Sequence, residues 1–267
     1  MSSESVPVDF PAVQRPPMRK SAHASLPCRA RSSCMAQRTR ARCDGGKAMA
    51  GRWDAVVWDF NGTLVDDVDL ALSSINRMLS RRDLPQLNRD VYRNVFGFPL
   101  IEYYRKLGVD VSRETPQDLA DEFHDGYLAG LPSCTLQDGV RELLDLAARA
   151  GARQFILSAL EEGELRRAIA HLGIADFFAA VYGLNHRLGD SKLARGQELF
   201  ASYRLGAATT LFIGDMDHDA EVAGALGVEV ALVAQGHQSA ARLRACGPRV
   251  VESFRELAGD FSSQSAP

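Results

Sequence analysis

The chain has 267 residues with a net charge of −3, 46% apolar residues and 24% charged ones. No apolar run approaches the ~20 residues needed to cross a bilayer, and no secretory apolar leader is present, so no membrane partner is expected. Charge is unevenly spread: residues 1–50 hold nine Lys/Arg against three acids, a net +6 that leaves −9 for the other 217 residues.

The basic stretch is rich in Ser, Ala, Pro and Arg and shows no apolar period, so no fold is assigned to it. Three readings fit: an organelle transit peptide, a basic arm for non-specific nucleic-acid contact, or an extension upstream of a start at Met49. The last is adopted, because Met49 stands just before the first strand, and no specific nucleic-acid partner is expected. Cys28, Cys34 and Cys43 fall in this stretch. Cys134 and Cys246 fit no zinc spacing and read as reduced thiols of a cytoplasmic protein. Oligomeric state is not legible.

From residue 54 onward β-type runs alternate with helical periods. Strands are predicted at 55–60, 154–158, 179–183, 210–214 and 228–233, with a weaker one at 249–252. A helix over 139–150 carries the stripe Val140, Leu143, Leu144, Ala147 and stops at Gly151. A second over 162–172 carries Leu165, Ala168, Ile169 and Leu172 and stops at Gly173, and a third follows Ser191. This rhythm predicts an α/β fold, a Rossmann-like parallel sheet with right-handed crossovers. Residues 67–134 break it with four helical patterns, interrupted at Leu84-Pro85, Phe98-Pro99 and Thr115-Pro116. They are expected to form a small all-helical cap inserted after the first strand. The core is expected over 51–66 and 135–258, and 259–267 as a flexible end.

Four chemistry-bearing sites then fall at strand ends or helix starts. Asp59 follows the first strand, in Asp59-Phe60-Asn61-Gly62-Thr63. Ser158 follows Gln154-Phe155-Ile156-Leu157. Lys192 opens a helix, and Gly214-Asp215-Met216-Asp217-His218-Asp219 follows Thr210-Leu211-Phe212-Ile213. In this order, with a helical insertion after the first site, the chain resembles the haloacid dehalogenase (HAD) superfamily of phosphohydrolases, and within it the small-cap, phosphoglycolate-phosphatase-like group. The resemblance covers residues 54 to about 258.

The chemistry gives each residue a place. A carboxylate that attacks a phosphate ester divides one hard displacement into two easier ones, and Asp59 is the only acid on the leading strand. Charge on the phosphoryl oxygens needs preorganised cations and donors: Lys192, the Ser158 hydroxyl, and the backbone N–H groups of the turn containing Gly62 and Thr63. Mg²⁺ takes oxygen ligands, and Asp59, the Asn61 carbonyl, Asp215 and, directly or through water, Asp219 supply them. The chain has 27 Arg and only four Lys, which favours a chemical reason for Lys192 over a solvated helix position. Ser158 also reads as a helix cap, as does Asp217, and His218 reads as an orienting or exposed residue. Gly236-His237-Gln238-Ser239 lies at the same end and is given no direct role. The cap aromatics Tyr92, Phe96, Phe98, Tyr103, Tyr104 and Tyr127 read as helical core. Arg93 and Lys106 are the cap cations that could reach a substrate.

Asn61 stands apart. The family resemblance implies an aspartate there, to protonate the leaving oxygen and later activate water. An amide transfers no proton, and acid–base help is typically worth ~10²–10⁴-fold. The expected function is a Mg²⁺-dependent phosphatase for a small phosphorylated metabolite, acting through an aspartyl-phosphate, with slow turnover. The alternatives are a phosphate-binding or regulatory pseudoenzyme, or a phosphonatase-like C–P hydrolase using Lys106 as a Schiff-base lysine. A response-regulator-like phospho-acceptor fits the length and the insertion poorly, and a dehalogenase would lack the Gly-Asp-x-x-x-Asp motif.

Overall fold

The computed structural model describes residues 52–189, 191–247 and 249–261. The basic N-terminal stretch and residues 262–267 lie outside the described residues. Strand β1 (Ala55–Trp58) is followed by a two-residue strand β2 (Val65–Asp66). Helices α1 (Val68–Ser80), α2 (Arg89–Val95), α3 (Leu100–Lys106) and α4 (Pro116–Gly130) come next. Strand β3 (Thr135–Leu136) then pairs antiparallel with β2, closing the neck of this helical segment. Helix α5 (Val140–Arg149), β4 (Arg153–Glu161), α6 (Glu162–His171), β5 (Ala180–Leu184) and α7 (Leu193–Tyr203) follow in alternation. The chain continues through β6 (Thr210–Gly214), α8 (Asp217–Leu226), β7 (Glu229–Val233), α9 (Ala240–Arg244) and β8 (Arg249–Val251).

Six strands form one sheet in the order β5-β4-β1-β6-β7-β8, and every pairing is parallel. The fold is therefore the expected Rossmann-like α/β sheet with a helical cap. Side chains on β1 alternate between faces. Ala55 and Val57 pack with Leu199, Val222 and Ala223 from α7 and α8; Val56 and Trp58 pack with Val140, Leu144, Leu165 and Ile169 from α5 and α6. Each fully buried aliphatic or aromatic side chain contributes about 1.5–3 kcal/mol. The polar groups in this core are matched: Trp58 Nε1 donates to Gln154 Oε1 (3.1 Å), and Gln154 Nε2 donates to the Leu144 carbonyl (3.0 Å).

Strand order reverses about β1, which lies between β4 and β6. Open parallel sheets hold ligands in the crevice beyond the carboxyl ends of the strands at such a point. The cap helices are locally well specified. Thr115 caps α4 through a reciprocal pair with Asp118, with Pro116 at the first turn, where its missing N–H costs nothing.

Three boundaries differ from the sequence reading. β4 runs on through Ser158 to Glu161, with a register irregularity after Leu157, and Glu161 rather than Ser158 caps α6, accepting from Glu164 N (2.9 Å). The packed core also continues past residue 258. A 3-10 helix spans Phe254–Asp260, Arg249 donates to Asp260 and Phe261 is buried. Finally, the β2–β3 ribbon has no counterpart among the predicted strands.

Candidate active site

Asp59 sits one residue past β1, and its N–H donates to the Ile213 carbonyl (2.8 Å), extending the β1–β6 ladder. That bond fixes its backbone at the mouth of the crevice. Its carboxylate accepts a hydrogen bond from Lys192 Nζ, which also pairs with Asp219 Oδ1 at 2.7 Å. Lys192, immediately before α7, is buried. Asp215 ends the segment after β6. It accepts from Thr63 Oγ1 (2.7 Å) and from the His237 N–H (2.6 Å). Asp219, one turn into α8, uses its second oxygen to accept from the N–H groups of Asp215 and Met216 (both 3.0 Å).

The three carboxylates of Asp59, Asp215 and Asp219 are all buried, and ligand oxygens from each lie within 4.8 Å of one another. One lysine faces them. Burial pushes Asp59 up to about 8 against the pull of Lys192, with Asp219 and Asp215 adding to the rise. Burial likewise pushes Asp215 up to about 6, although His237 draws it down. Buried acids in such excess call for a cation. The surroundings are shaped for one: a Cβ on Gly62, whose φ is +72°, would lie 2.4 Å from Asp215 Oδ2, and one on Gly236 would lie 2.2 Å from it. An all-oxygen donor set of this charge fits Mg²⁺.

Asn61 is held rather than free. Its Nδ2 donates to Asp67 Oδ2 (2.9 Å) and lies 2.5 Å from Tyr127 Oη, while its Oδ1 accepts from Ser158 Oγ at 3.5 Å. Asp67 is also an acceptor for Gly62 N (2.7 Å) and Tyr127 Oη, and it pairs with His237 Nε2 at 3.2 Å. His237 Nδ1 in turn meets Tyr92 Oη at 2.9 Å. Burial alone would raise Asp67, but His237, Tyr127 and Asn61 hold it below the usual carboxylate range. For His237, burial is outweighed by Asp67, which lifts it to about 9.

Several expectations need correction. The Gly62 N–H is taken by Asp67, so Gly62 shapes the site instead of offering that group to a phosphate, while the Thr63 hydroxyl donates to Asp215. Ser158 Oγ accepts from Leu160 N (3.1 Å) and reaches Asn61. Arg93 does not reach the site, because its guanidinium donates to the carbonyls of Gly236 (2.9 Å), Ala234 (2.7 Å) and Gln238 (2.9 Å). Lys106 is exposed at the end of α3 and does not line the cavity over Asp59, which deprives the Schiff-base alternative of its lysine. Asp217 accepts from Gln238 and Arg242, tying the α8 N-terminus to the loop after β7. His218 is buried against Phe98, with ring centroids 4.8 Å apart.

That cavity, about 110 Å³ in volume, is bounded by Asp59, Asn61, Asp67, Lys192 and His237 below and by cap side chains above. All six aromatics assigned to the helical core contribute to its wall. Sequence reasoning gave no role to Asp67, His237 or Tyr127. The available signal was an acid at 67, only six residues after the amide at 61.

Residues 56–233, about two thirds of the chain, match the family model described as haloacid dehalogenase-like hydrolase. The chain belongs to this family. Among relatives, it is 27% identical over 184 residues to the tyrosine-protein kinase PtkA of Mycobacterium tuberculosis, covering 68% of this chain and 62% of that protein. The chain thus spans less than two thirds of that relative's length. It is 24% identical over 212 residues to a phosphoglycolate phosphatase of Pseudomonas putida, covering 76% and 77% of the two chains. In fold it is similar to the crystal structure of a predicted phosphatase from Clostridium acetobutylicum, with a TM-score of 0.67 at 21% identity, covering 77% of this chain and 96% of that one. No helix among the described residues is long and apolar enough to cross a membrane.

Proposed function

We propose that the chain is a Mg²⁺-dependent phosphatase of small phosphorylated metabolites, with Asp59 as nucleophile. One observation carries this reading: three buried carboxylates, of Asp59, Asp215 and Asp219, converge with a single buried lysine at the base of a cavity lined above by cap side chains. Asp59, the Asn61 carbonyl and Asp215 would hold the ion, with Asp219 behind them. When bound, Mg²⁺ supplies counter-charge for the phosphoryl oxygens.

Asp59 attacks phosphorus as a carboxylate. The bond from phosphorus to the ester oxygen breaks, and an aspartyl-phosphate and an alkoxide result. Lys192 holds the Asp59 oxygen in place and faces the transferring charge. The Ser158 hydroxyl lies beside Asn61 and is the nearest neutral donor on β4. Water then attacks the aspartyl-phosphate, releasing inorganic phosphate and restoring Asp59. The Asn61 amide, fixed by Asp67 and Tyr127, orients a leaving group or water but supplies no proton, which keeps turnover slow.

The test is phosphate release from a broad panel of phosphorylated metabolites with and without Mg²⁺, for wild type and Asp59→Asn. Wild type is expected to release phosphate only with Mg²⁺, and Asp59→Asn to release none. Beryllofluoride and Mg²⁺ that bind wild type with background hydrolysis across the panel would instead mark a phosphate-binding protein.

A further inference from the structure

The cavity above Asp59 carries information about the leaving group, and this inference rests on the phosphatase reading for the position of the phosphoryl group. Its upper wall is made of cap side chains such as Ile75, Phe96, Phe98, Ala120 and Phe123. Among the described residues no arginine lines it, and the only lysine there is Lys192, which already faces two carboxylates. His237, the other cation of the lining, is already paired with Asp67, so a second anionic group on a substrate would be buried without a free counter-charge, which is strongly unfavourable.

Two polar atoms in this wall have no partner. Tyr103 is 3% exposed and His218 8% exposed, yet neither Tyr103 Oη nor His218 Nε2 makes a hydrogen bond. Both residues line the cavity. Buried polar atoms are almost always paired, and an orphan costs about 1–3 kcal/mol. Other polar groups along the wall are engaged: Tyr92 with His237, Tyr127 with Asp67, and His124 Nδ1 with the Ala120 carbonyl. The two orphans mark where a ligand atom belongs.

We propose that the substrate is the phosphate ester of a neutral alcohol, apolar in body and carrying one further uncharged hydroxyl or carbonyl group, which hydrogen-bonds to Tyr103 or His218. Carboxylated leaving groups are excluded by charge, and a nucleoside, polar over most of its surface, is a poor match for the apolar wall.

The alcohols themselves provide a test that does not require turnover. Binding of 3-hydroxybenzyl alcohol, benzyl alcohol, glycolate and adenosine to the Mg²⁺-loaded full chain is measured by calorimetry. The hydroxylated ring should bind tightest. Tyr103→Phe should weaken it about three- to tenfold while leaving benzyl alcohol unchanged. Ala120→Phe, which fills the cavity, should abolish binding of both while circular dichroism shows a folded protein. Tighter binding of glycolate or adenosine, no binding of either ring alcohol, or equal loss of both in Tyr103→Phe would overturn the proposal. In a parallel arm, 3-hydroxybenzyl phosphate should exceed phosphoglycolate at least tenfold in kcat/KM, and the reverse order would also overturn it. Ring alcohols that bind as expected, with no phosphate released from any ester, would refute the phosphatase reading alone.

Discussion

Asn61→Asp looks like the change that would restore an ordinary proton donor, but beside Asp67 it carries a stability cost of its own. Asn61 Nδ2 lies 2.9 Å from Asp67 Oδ2, with Asn61 half-buried and Asp67 buried. The substitution would set two carboxylates face to face. At an effective dielectric constant near 20, two charges at that separation repel by about 6 kcal/mol. Protonating one acid is the cheaper outcome. Raising a carboxyl from ~3.9 to above neutrality costs about 4 kcal/mol at pH 7 and about 1.5 kcal/mol at pH 5, at 1.36 kcal/mol per pH unit. The proton settles on residue 61, because His237 and Tyr127 keep Asp67 ionised.

The sign follows from linkage. The new acid's folded pKa is raised above its unfolded value, so the variant matches wild type below about pH 4 and loses stability as pH rises. Urea unfolding at pH 5 and pH 7 should show the deficit growing by about 3 kcal/mol. The paired exchange Asn61→Asp/Asp67→Asn keeps one acid and one amide in the same two places. It should recover most of that stability, and it should raise phosphate release by as much as ~10²-fold or more. A deficit independent of pH, or an Asn61→Asp protein as stable as wild type at pH 7, would refute the reasoning.

Lys192→Met should cost about 3–5 kcal/mol in urea unfolding, because it strands two buried carboxylates, and Mg²⁺ should recover part of the loss by replacing the missing positive charge. Arg93→Ala releases three carbonyls of the loop after β7. The expected loss is about 1–3 kcal/mol, and amide exchange should quicken together in residues 89–98 and 234–239. Glu122 on α4 pairs with Arg82 at 2.5 Å and Arg81 at 2.9 Å, and although burial alone would raise it, these arginines hold it below the usual range. Its contribution is therefore present above about pH 4.5 and lost as pH falls through the depressed value. Glu122→Gln should reduce stability by at most about 1 kcal/mol at pH 7, and the difference from wild type should vanish near pH 3.

What could be read from the sequence depended on whether a single element held the whole signal. The strand at 210–214 is a continuous buried run ending in Gly-Asp, and the amphipathic stripe from Val140 to Ala147 has the helical period, so both were legible. The β2 and β3 strands have two residues each, too few to show a period. The cap aromatics expose a different limit. Periodicity shows that Tyr103 and Phe96 face inward, but a side chain against a filled core and one against a cavity have the same spacing. The missed polar network has the same origin. Asp67 stands at the start of α1 and reads as a cap, yet it makes no cap hydrogen bond. Its oxygens turn back to Gly62, Asn61 and Tyr127, and its other partner, His237, is 170 residues along the chain. Nothing local joins those positions; the sheet does, by setting the ends of β1 and β7 on either side of β6. Taken alone, Asn61 is a lost acid. Beside Asp67 it is half of an amide–carboxylate pair, with a negative charge held about 3 Å away on a residue six further along the chain, so the site carries a charge here without an acid at the position from which a proton would be handed over.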